Sequence, residues 1–201
     1  MALTRVEPGM VATIVTHLEM RAQPRPAPIP SAPLRLVRWK APDADAYRTL
    51  FRRVGAPWLW FSRLVMADAP LLAILHDPAV EIYAATDPRG TEIGLLELDF
   101  RSMPDCELSF LGLVPERTGK GLGRWLMAHA TSLAWRKGVE RFRVHTCTLD
   151  SPGALGFYMR SGFTPFAREI ETFADPRLAG IVPRDAAPHV PILDQAADAC
   201  R

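Results

Sequence analysis

Three glycines at every second position, Gly119, Gly121 and Gly123, stand beside two cations, Lys120 and Arg124. Glycines at this spacing let the backbone come close to a ligand and adopt conformations that other residues resist. Behind them Leu122, Trp125, Leu126, His129, Ala130 and Leu133 fall on one helical stripe, which predicts an amphipathic helix ending near Gly138. The unpaired N–H groups of its first turn, with the helix dipole behind them, favour an anion. A strand leads in: Cys106 to Val114 is rich in Leu, Phe and Val, and Pro115, with no N–H to donate, ends its ladder. Strand, glycine loop and helix N-terminus together predict a phosphate-binding turn. A glycine-rich turn that enters a helix without a ligand is the plainer alternative.

Spacing separates the families that use such turns. A Walker A loop needs Ser or Thr after its lysine, but Lys120 is followed by Gly121, so a metal–nucleotide site is not expected. A dinucleotide fingerprint needs a third glycine that Gly121-Leu-Gly123-Arg-Trp-Leu lacks. The segment Thr118-Gly-Lys-Gly121-Leu-Gly123 resembles the acetyl-CoA pyrophosphate loop of the GNAT superfamily of N-acetyltransferases, Gln/Arg-x-x-Gly-x-Gly/Ala. Thr118 stands where Gln or Arg is usual, and an arginine sits one place earlier at Arg117. A second block, Ser151-Pro-Gly-Ala154-Leu-Gly-Phe157-Tyr158 with Gly162-Phe163 after it, resembles the family's Asn-x-x-Ala-x-x-Phe-Tyr…Gly-Phe block, with Ser151 in place of Asn.

The resemblance covers about residues 34–174 and implies the GNAT fold, a mixed central α/β sheet flanked by helices. It implies acetyl-CoA as co-substrate, held by Thr118 to Arg124 and by Ser151, Ala154 and Phe157. It also implies that Leu111, Gly112 and Leu113 pair their backbone with the amides of the pantetheine arm and help to polarise the acetyl carbonyl. Pro115 is expected to splay this strand from its neighbour so that the ligand enters.

Acetyl transfer from a thioester to an amine needs a polarised carbonyl, a proton acceptor for the amine and a proton donor for the departing thiolate. Tyr158 is the expected acid, because a phenol is protonated at neutral pH and the family's tyrosine at this place does that work. Glu107, eleven positions before the loop begins (118 − 107), has the spacing at which some members carry a catalytic glutamate, and it is the expected general base. Burial beside the thioester is expected to raise its pKa toward neutrality. Glu97 and Asp99 project together on the preceding strand and Arg101 continues the row, as a solvated face or as a binding face for a cationic acceptor. Trp60, Arg63 and His145 are the remaining acceptor-side residues. His17 and His129 read as structural. Cys147 as an acyl nucleophile would require a double-displacement scheme, and direct transfer in a ternary complex is expected instead.

The elements that position these residues follow from local pattern. Val11–Met20 is β-branched and partly alternating, a strand that joins a sheet or a partner subunit; Pro24 to Pro33 then impose an extended strap. Leu34–Lys40 reads as a strand, and Asp43 or Asp45 caps a helix through Val54. Trp58 to Met66 reads as a second, aromatic-rich helix that packs some of its side chains in the core, or alternatively walls an acceptor pocket with Trp60 and Arg63, and a short helix follows at Pro70–Leu75. Glu81–Thr86 and Glu92–Ser102 form a hairpin about Asp87-Pro-Arg-Gly90. Arg141–Leu149 is a strand parallel to Cys106–Val114, Asp150 or Ser151 caps the helix Ala154–Arg160, and Phe163 starts a last strand. The implied organisation is an N-terminal strand and strap (1–33), the acetyltransferase domain (34–174) and a C-terminal extension (175–201) that wraps the surface or a partner.

Composition sets the outer limits. A chain of 201 residues, 48% hydrophobic, buries a substantial core. A net charge of +2 argues against nucleic acid or a membrane surface as partner, and against aminoacyl-tRNA as acceptor. Cys106, Cys147 and Cys200 suggest neither a disulfide framework nor a metal site, and no metal is expected. Without signal-peptide or membrane-span character, a cytoplasmic enzyme is the expectation. The expected acceptor is a small-molecule primary amine. Acetylation of a protein or peptide amine, or a non-catalytic acyl-CoA sensor, are the rivals, and a homodimer is possible.

Overall fold

Seven strands form one mixed sheet in the order β2-β3-β4-β5-β6-β1-β7. The computed structural model describes residues 3–25 and 27–194, so Cys200 and the end of the C-terminal extension lie outside the described residues. β1 (Met10–Met20) does not lie at an edge. It pairs antiparallel with β6 (Arg141–Cys147) on one side and with β7 (Thr164–Ala174) on the other. Of the two fates its sequence allowed, it joins its own sheet. β2 (Arg35–Trp39), β3 (Val80–Thr86), β4 (Glu92–Asp99) and β5 (Asp105–Leu113) run as successive antiparallel neighbours. β5 and β6 are parallel, as required of two strands joined through a helix.

Helices cover both faces. α1 (Ala44–Gly55) starts where Asp43 accepts from the N–H groups of Asp45 and Ala46, at 2.9 and 3.0 Å. Its buried stripe, Tyr47, Leu50, Phe51 and Val54, packs with Leu71 and Leu75 of α2 (Asp68–Leu75) on Ile82, Ala84 and Leu95 of the sheet. On the opposite face Trp125, Leu126 and Ala130 of α3 (Leu122–Ala134) join Tyr158 of α4 (Ala154–Arg160) over Leu96, Leu98 and Leu108. Alternation along β4 feeds these two cores from one strand.

Three expected elements differ. Trp58–Met66 is not a helix: a 3-10 turn at Ala56–Trp58 ends at Leu59, whose backbone is left-handed (φ 55°), and the chain to Met66 is a packed loop. The aromatic side chains that suggested a buried helix are instead spent on tertiary contacts, described below. β4 stops at Asp99, whose carboxylate turns back to accept from the Arg101 N–H. α4 begins after Gly153 with no side-chain cap, because Asp150 is engaged elsewhere. Beyond β7 the chain folds around Arg177, which is almost fully buried. Arg177 pairs with Asp175 at 2.7 Å and donates to the carbonyls of Ala186, Ala187 and Val190. Val182 and Ala187 thereby pack on Val11, Leu59 and Leu149.

Candidate active site

β5 and β6 pair only from Asp105–Leu108 against Arg141–Val144. Beyond that point β5 continues to Leu113, held by β4 alone, and the two parallel strands separate. A bulge displaces Ser109 where the register shifts, Leu108 facing Leu98 and Phe110 facing Glu97. The separation therefore starts at Ser109, not at Pro115 as the sequence suggested, and leaves the β5 edge from Ser109 to Leu113 facing a cleft of about 910 Å³. Gly112 sits tight against the α1 side: a Cβ there would lie 2.5 Å from Val54 Cγ1 and 3.1 Å from Trp60 Cη2.

One half of the cleft is lined by Leu111, Gly112, Leu113, Thr118, Gly119, Gly123, Ser151, Ala154, Phe157 and Tyr158, so both sequence blocks meet. Gly119 and Gly121 are left-handed (φ 74° and 76°), and a Cβ at Gly119 would meet nothing within 4 Å. No side chain caps the first turn of α3. Its N–H groups are thus presented without a side-chain acceptor, the donor set an anionic diphosphate requires. The cradle is made of backbone. Arg117, next to the motif's first position, is drawn to Asp87 at 3.3 Å, and the Thr118 hydroxyl donates to the Pro115 carbonyl at 2.8 Å. Lys120 donates to the Glu116 carbonyl at 3.1 Å, and Lys120, Gly121, Leu122 and Arg124 lie outside the cleft lining. A Cβ added at Gly123 would stand 3.7 Å from the Phe157 ring, in ordinary van der Waals contact.

Tyr158 is buried between Phe157 and Phe163, with ring centroids at 5.6 and 5.9 Å. Burial, and secondarily the charge of Asp150, push its phenol well above the usual range, so it holds its proton at neutral pH. Its hydroxyl makes no hydrogen bond among the described residues, and Tyr158 lines the cleft.

The other half of the cleft is walled by residues 58–63. Trp60 crosses from the α1 side to the β6 side: its indole N–H donates to Asp150 Oδ1 at 3.2 Å, while its ring lies 5.7 Å from Phe51 and 5.2 Å from Phe110. Asp150 also accepts from Thr146 Oγ1 at 2.6 Å and from the Cys147 N–H at 3.0 Å. It ties β6 to Trp60, whose ring in turn packs on Phe110 of β5, a role that its place before a helix had disguised as a cap. Arg63 lines the cleft but is committed: its Nη2 donates to Glu97 Oε1 at 2.6 Å, and its guanidinium lies over the Phe110 ring. Glu97 was expected on a solvated or acceptor-facing strand surface. It is completely buried, accepts from the Tyr47 hydroxyl at 2.5 Å, and does not reach the cleft. α1 covers that stretch of β4, and a carboxylate is tolerated there only because Arg63 and Tyr47 answer it.

Asp99 does line the cleft, gripped by Arg101 at 2.6 Å. Burial alone would raise its pKa, but the hydrogen bonds from Arg101 outweigh burial and hold it below the ordinary carboxylate range. Glu107 stands opposite Asp99 in register, with Oε1 3.4 Å from His145 Nδ1 and Oε2 3.7 Å from Arg143 Nη2. Contact with His145 lowers its pKa against the opposing effect of burial, the reverse of the shift expected from burial beside a thioester. Phe61, Phe173 and Glu171, which the sequence did not single out, complete this wall, with Phe61 and Phe173 rings 4.8 Å apart. Cys147 lines the cleft as well, its thiol pushed up first by burial, so it is not an activated thiolate. Among the described residues no group of three or more His, Cys, Asp or Glu side chains is arranged to hold a metal ion, and no helix is long and apolar enough to cross a membrane.

A mixed sheet that parts between two parallel strands, with a glycine turn and helix start on one side and an aromatic, charged cleft on the other, defines a GNAT-fold protein. The chain belongs to the acetyltransferase (GNAT) family, whose profile matches residues 44–163, more than half of its length. Members of this family are acyl-CoA-dependent acetyltransferases. Among solved structures, the chain is similar to a GCN5-related N-acetyltransferase from Sphaerobacter thermophilus (TM-score 0.60, 17% identity, covering 80% of this chain and 51% of that one). It is also similar to an aminoglycoside acetyltransferase from an uncultured soil metagenomic sample (TM-score 0.52, 20% identity, 65% and 88% covered). A third similar structure is a GCN5-related N-acetyltransferase from Kribbella flavida (TM-score 0.51, 18% identity, 86% and 63% covered). At these identities the likeness is one of fold, and the chain spans about half the length of the Sphaerobacter protein. Among curated proteins no sequence matches significantly.

Proposed function

We propose that this protein transfers the acetyl group of acetyl-CoA to a primary amine of a small molecule, directly and within a ternary complex. The observation that carries this reading is the parting of β5 and β6 at Ser109. It leaves the β5 edge free in one cleft that Gly119 and Gly123, the aromatic and charged wall and Tyr158 all line, which suits a co-substrate and an acceptor side by side.

The residues present fit the co-substrate. The Gly119–Gly123 backbone and the uncapped start of α3 would hold the diphosphate, and the free β5 edge from Ser109 to Leu113 would pair with the pantetheine amides. Acetyl-CoA supplies an activated acyl group. Backbone N–H groups of that β5 edge orient it and stabilise negative charge on its carbonyl oxygen. Tyr158, protonated and without a competing partner, donates its proton to the leaving sulfur. The Cys147 thiol, whose pKa partial burial raises, supports direct transfer over an acyl-enzyme route. Acidic side chains on the acceptor wall, Glu107, Asp99 and Glu171, suit a cationic amine, and Phe61 and Phe173 give it an apolar surface.

Calorimetry with acetyl-CoA, followed by a thiol-release assay, tests the reading. The assay panel comprises spermidine, tyramine, sisomicin and a peptide with a free N-terminus. The expected result is micromolar-range binding and turnover of at least one of the three small amines in preference to the peptide. Binding without turnover of any amine would favour a sensor, and turnover of the peptide alone would move the acceptor class to protein amines.

A further inference from the structure

The acetyltransferase reading leaves one role open, the acceptor of the amine's proton. Glu107 has the position for it but the wrong surroundings. Its carboxylate lies between the His145 ring at 3.4 Å and the Arg143 guanidinium at 3.7 Å, with His145 on one oxygen and Arg143 on the other. A carboxylate held ionised between an imidazole N–H and a guanidinium is a weak base toward an ammonium ion.

His145 stands differently. The last β5–β6 pair on the ladder is Leu108 with Val144, so His145 is the first β6 residue past the point where the strands part. Its side chain is half exposed and lines the cleft. With Nδ1 turned to Glu107, the ring keeps Nε2 as its second nitrogen. When Nδ1 carries the proton shared with Glu107, Nε2 is a lone-pair acceptor.

We propose that His145 is the general base of the reaction and that Glu107 is its positioning partner, fixing the ring's tautomer and stabilising the imidazolium that forms. This inference rests on the acetyltransferase reading above. In the step, the neutral amine nitrogen bonds to the thioester carbonyl carbon, and Nε2 of His145 takes one N–H proton. The carbon–sulfur bond then breaks with its electron pair going to sulfur. Tyr158 protonates the thiolate, and the imidazolium returns its proton to the tyrosinate through solvent. Amine plus acetyl thioester thus gives amide plus thiol, with no proton gained or lost.

The nearby carboxylates dominate the field at the ring. Glu107, and at longer range Asp150 and Glu171, favour the charged ring and outweigh burial, so His145 titrates above the ordinary histidine value. Arg143 two residues before it opposes this, and the Cys147 thiol two residues after it is neutral. Across the β1 register lies His17, its ring centroid 5.9 Å away and its Nε2 3.0 Å from Glu169. A base must be neutral to act, so the rate rises with pH through the His145 pKa, above about 6.5. With Glu107 as base the corresponding limb would fall below about 4.3.

The test combines titration, kinetics and rescue. Proton NMR of the histidine rings in the apo-protein should show His145 titrating above 6.5, and moving down in Glu107→Gln. With acetyl-CoA and the best amine of the panel, His145→Ala should lower kcat by about 10²–10⁴-fold, the usual worth of a general base. It should also lose the neutral acid limb, bind acetyl-CoA unchanged, and regain part of its rate when imidazole is added. Glu107→Gln should lose less and shift the limb to lower pH. An active His145→Ala with the wild-type limb, or a limb that vanishes in Glu107→Gln but survives in His145→Ala, overturns the assignment and leaves the acetyltransferase reading standing. A wild-type protein that turns over no amine overturns both.

Discussion

Replacing Arg63 with methionine removes the only cation paired with a fully buried carboxylate among the described residues around it. Glu97 is 0% exposed and has two answering groups, Arg63 Nη2 at 2.6 Å and the Tyr47 hydroxyl at 2.5 Å. In Arg63→Met the negative charge keeps one neutral donor. Breaking a buried pair from one side costs about 3–5 kcal/mol. At about 2–4 °C per kcal/mol for a chain of this size, Tm should fall by roughly 6–20 °C. Tyr47→Phe removes a hydrogen bond to a charged group, worth about 1.5–3 kcal/mol, and should fall less. The double variant Arg63→Met/Glu97→Leu takes both charges away and leaves packed apolar side chains, so it should recover most of the loss. Arg63 Nε has no partner of its own, which makes that recovery easier. Thermal unfolding followed by circular dichroism reads all three. If Arg63→Met costs under about 1 kcal/mol, or the double variant costs the sum of its parts, Glu97 is not a buried, answered charge and the reasoning fails.

Tyr158→Phe should lower kcat strongly while acetyl-CoA affinity stays near normal, since the proton donation belongs to the transition state; a near-normal kcat would leave Tyr158 a packing residue. Gly121→Glu should abolish acetyl-CoA binding by calorimetry, because it puts a negative charge beside the anion cradle. Its backbone is left-handed at φ 76°, so any side chain there costs about 1–3 kcal/mol of strain, and Gly121→Ala serves as the control that carries strain without charge. Equal binding losses in the two variants would contradict the electrostatic account.

Much of this was legible in the chain, for local reasons. Alternation and Gly/Pro punctuation placed the seven strands, and the Gly119–Gly123 spacing placed the turn between β5 and α3. What escaped was set by distant partners. That Glu97 and Asp99 share a strand face follows from period 2. That one is buried and the other lines the cleft depends on Tyr47, fifty residues away, and on α1 covering only part of β4. Glu107 and His145 meet because of a parallel register that neither strand's own pattern specifies. Their contact lowers the pKa of Glu107, where burial by itself argued for a rise. The aromatic weight of Trp58–Met66 correctly signalled burial but not form, since Trp60 packs on Gly55 and Gly112 and reaches Asp150, contacts a loop makes here.

In the proposed complex acetyl-CoA lies in the gap between β5 and β6 with its diphosphate on the glycine turn. Hydrogen–deuterium exchange with saturating acetyl-CoA tests it without an acceptor being known. Exchange should slow at the Ser109–Leu113 edge and the Gly119–Gly123 amides together, with the α1–α2 face of the sheet unchanged. Protection confined to other segments, or none at either place while calorimetry reports binding, would contradict it.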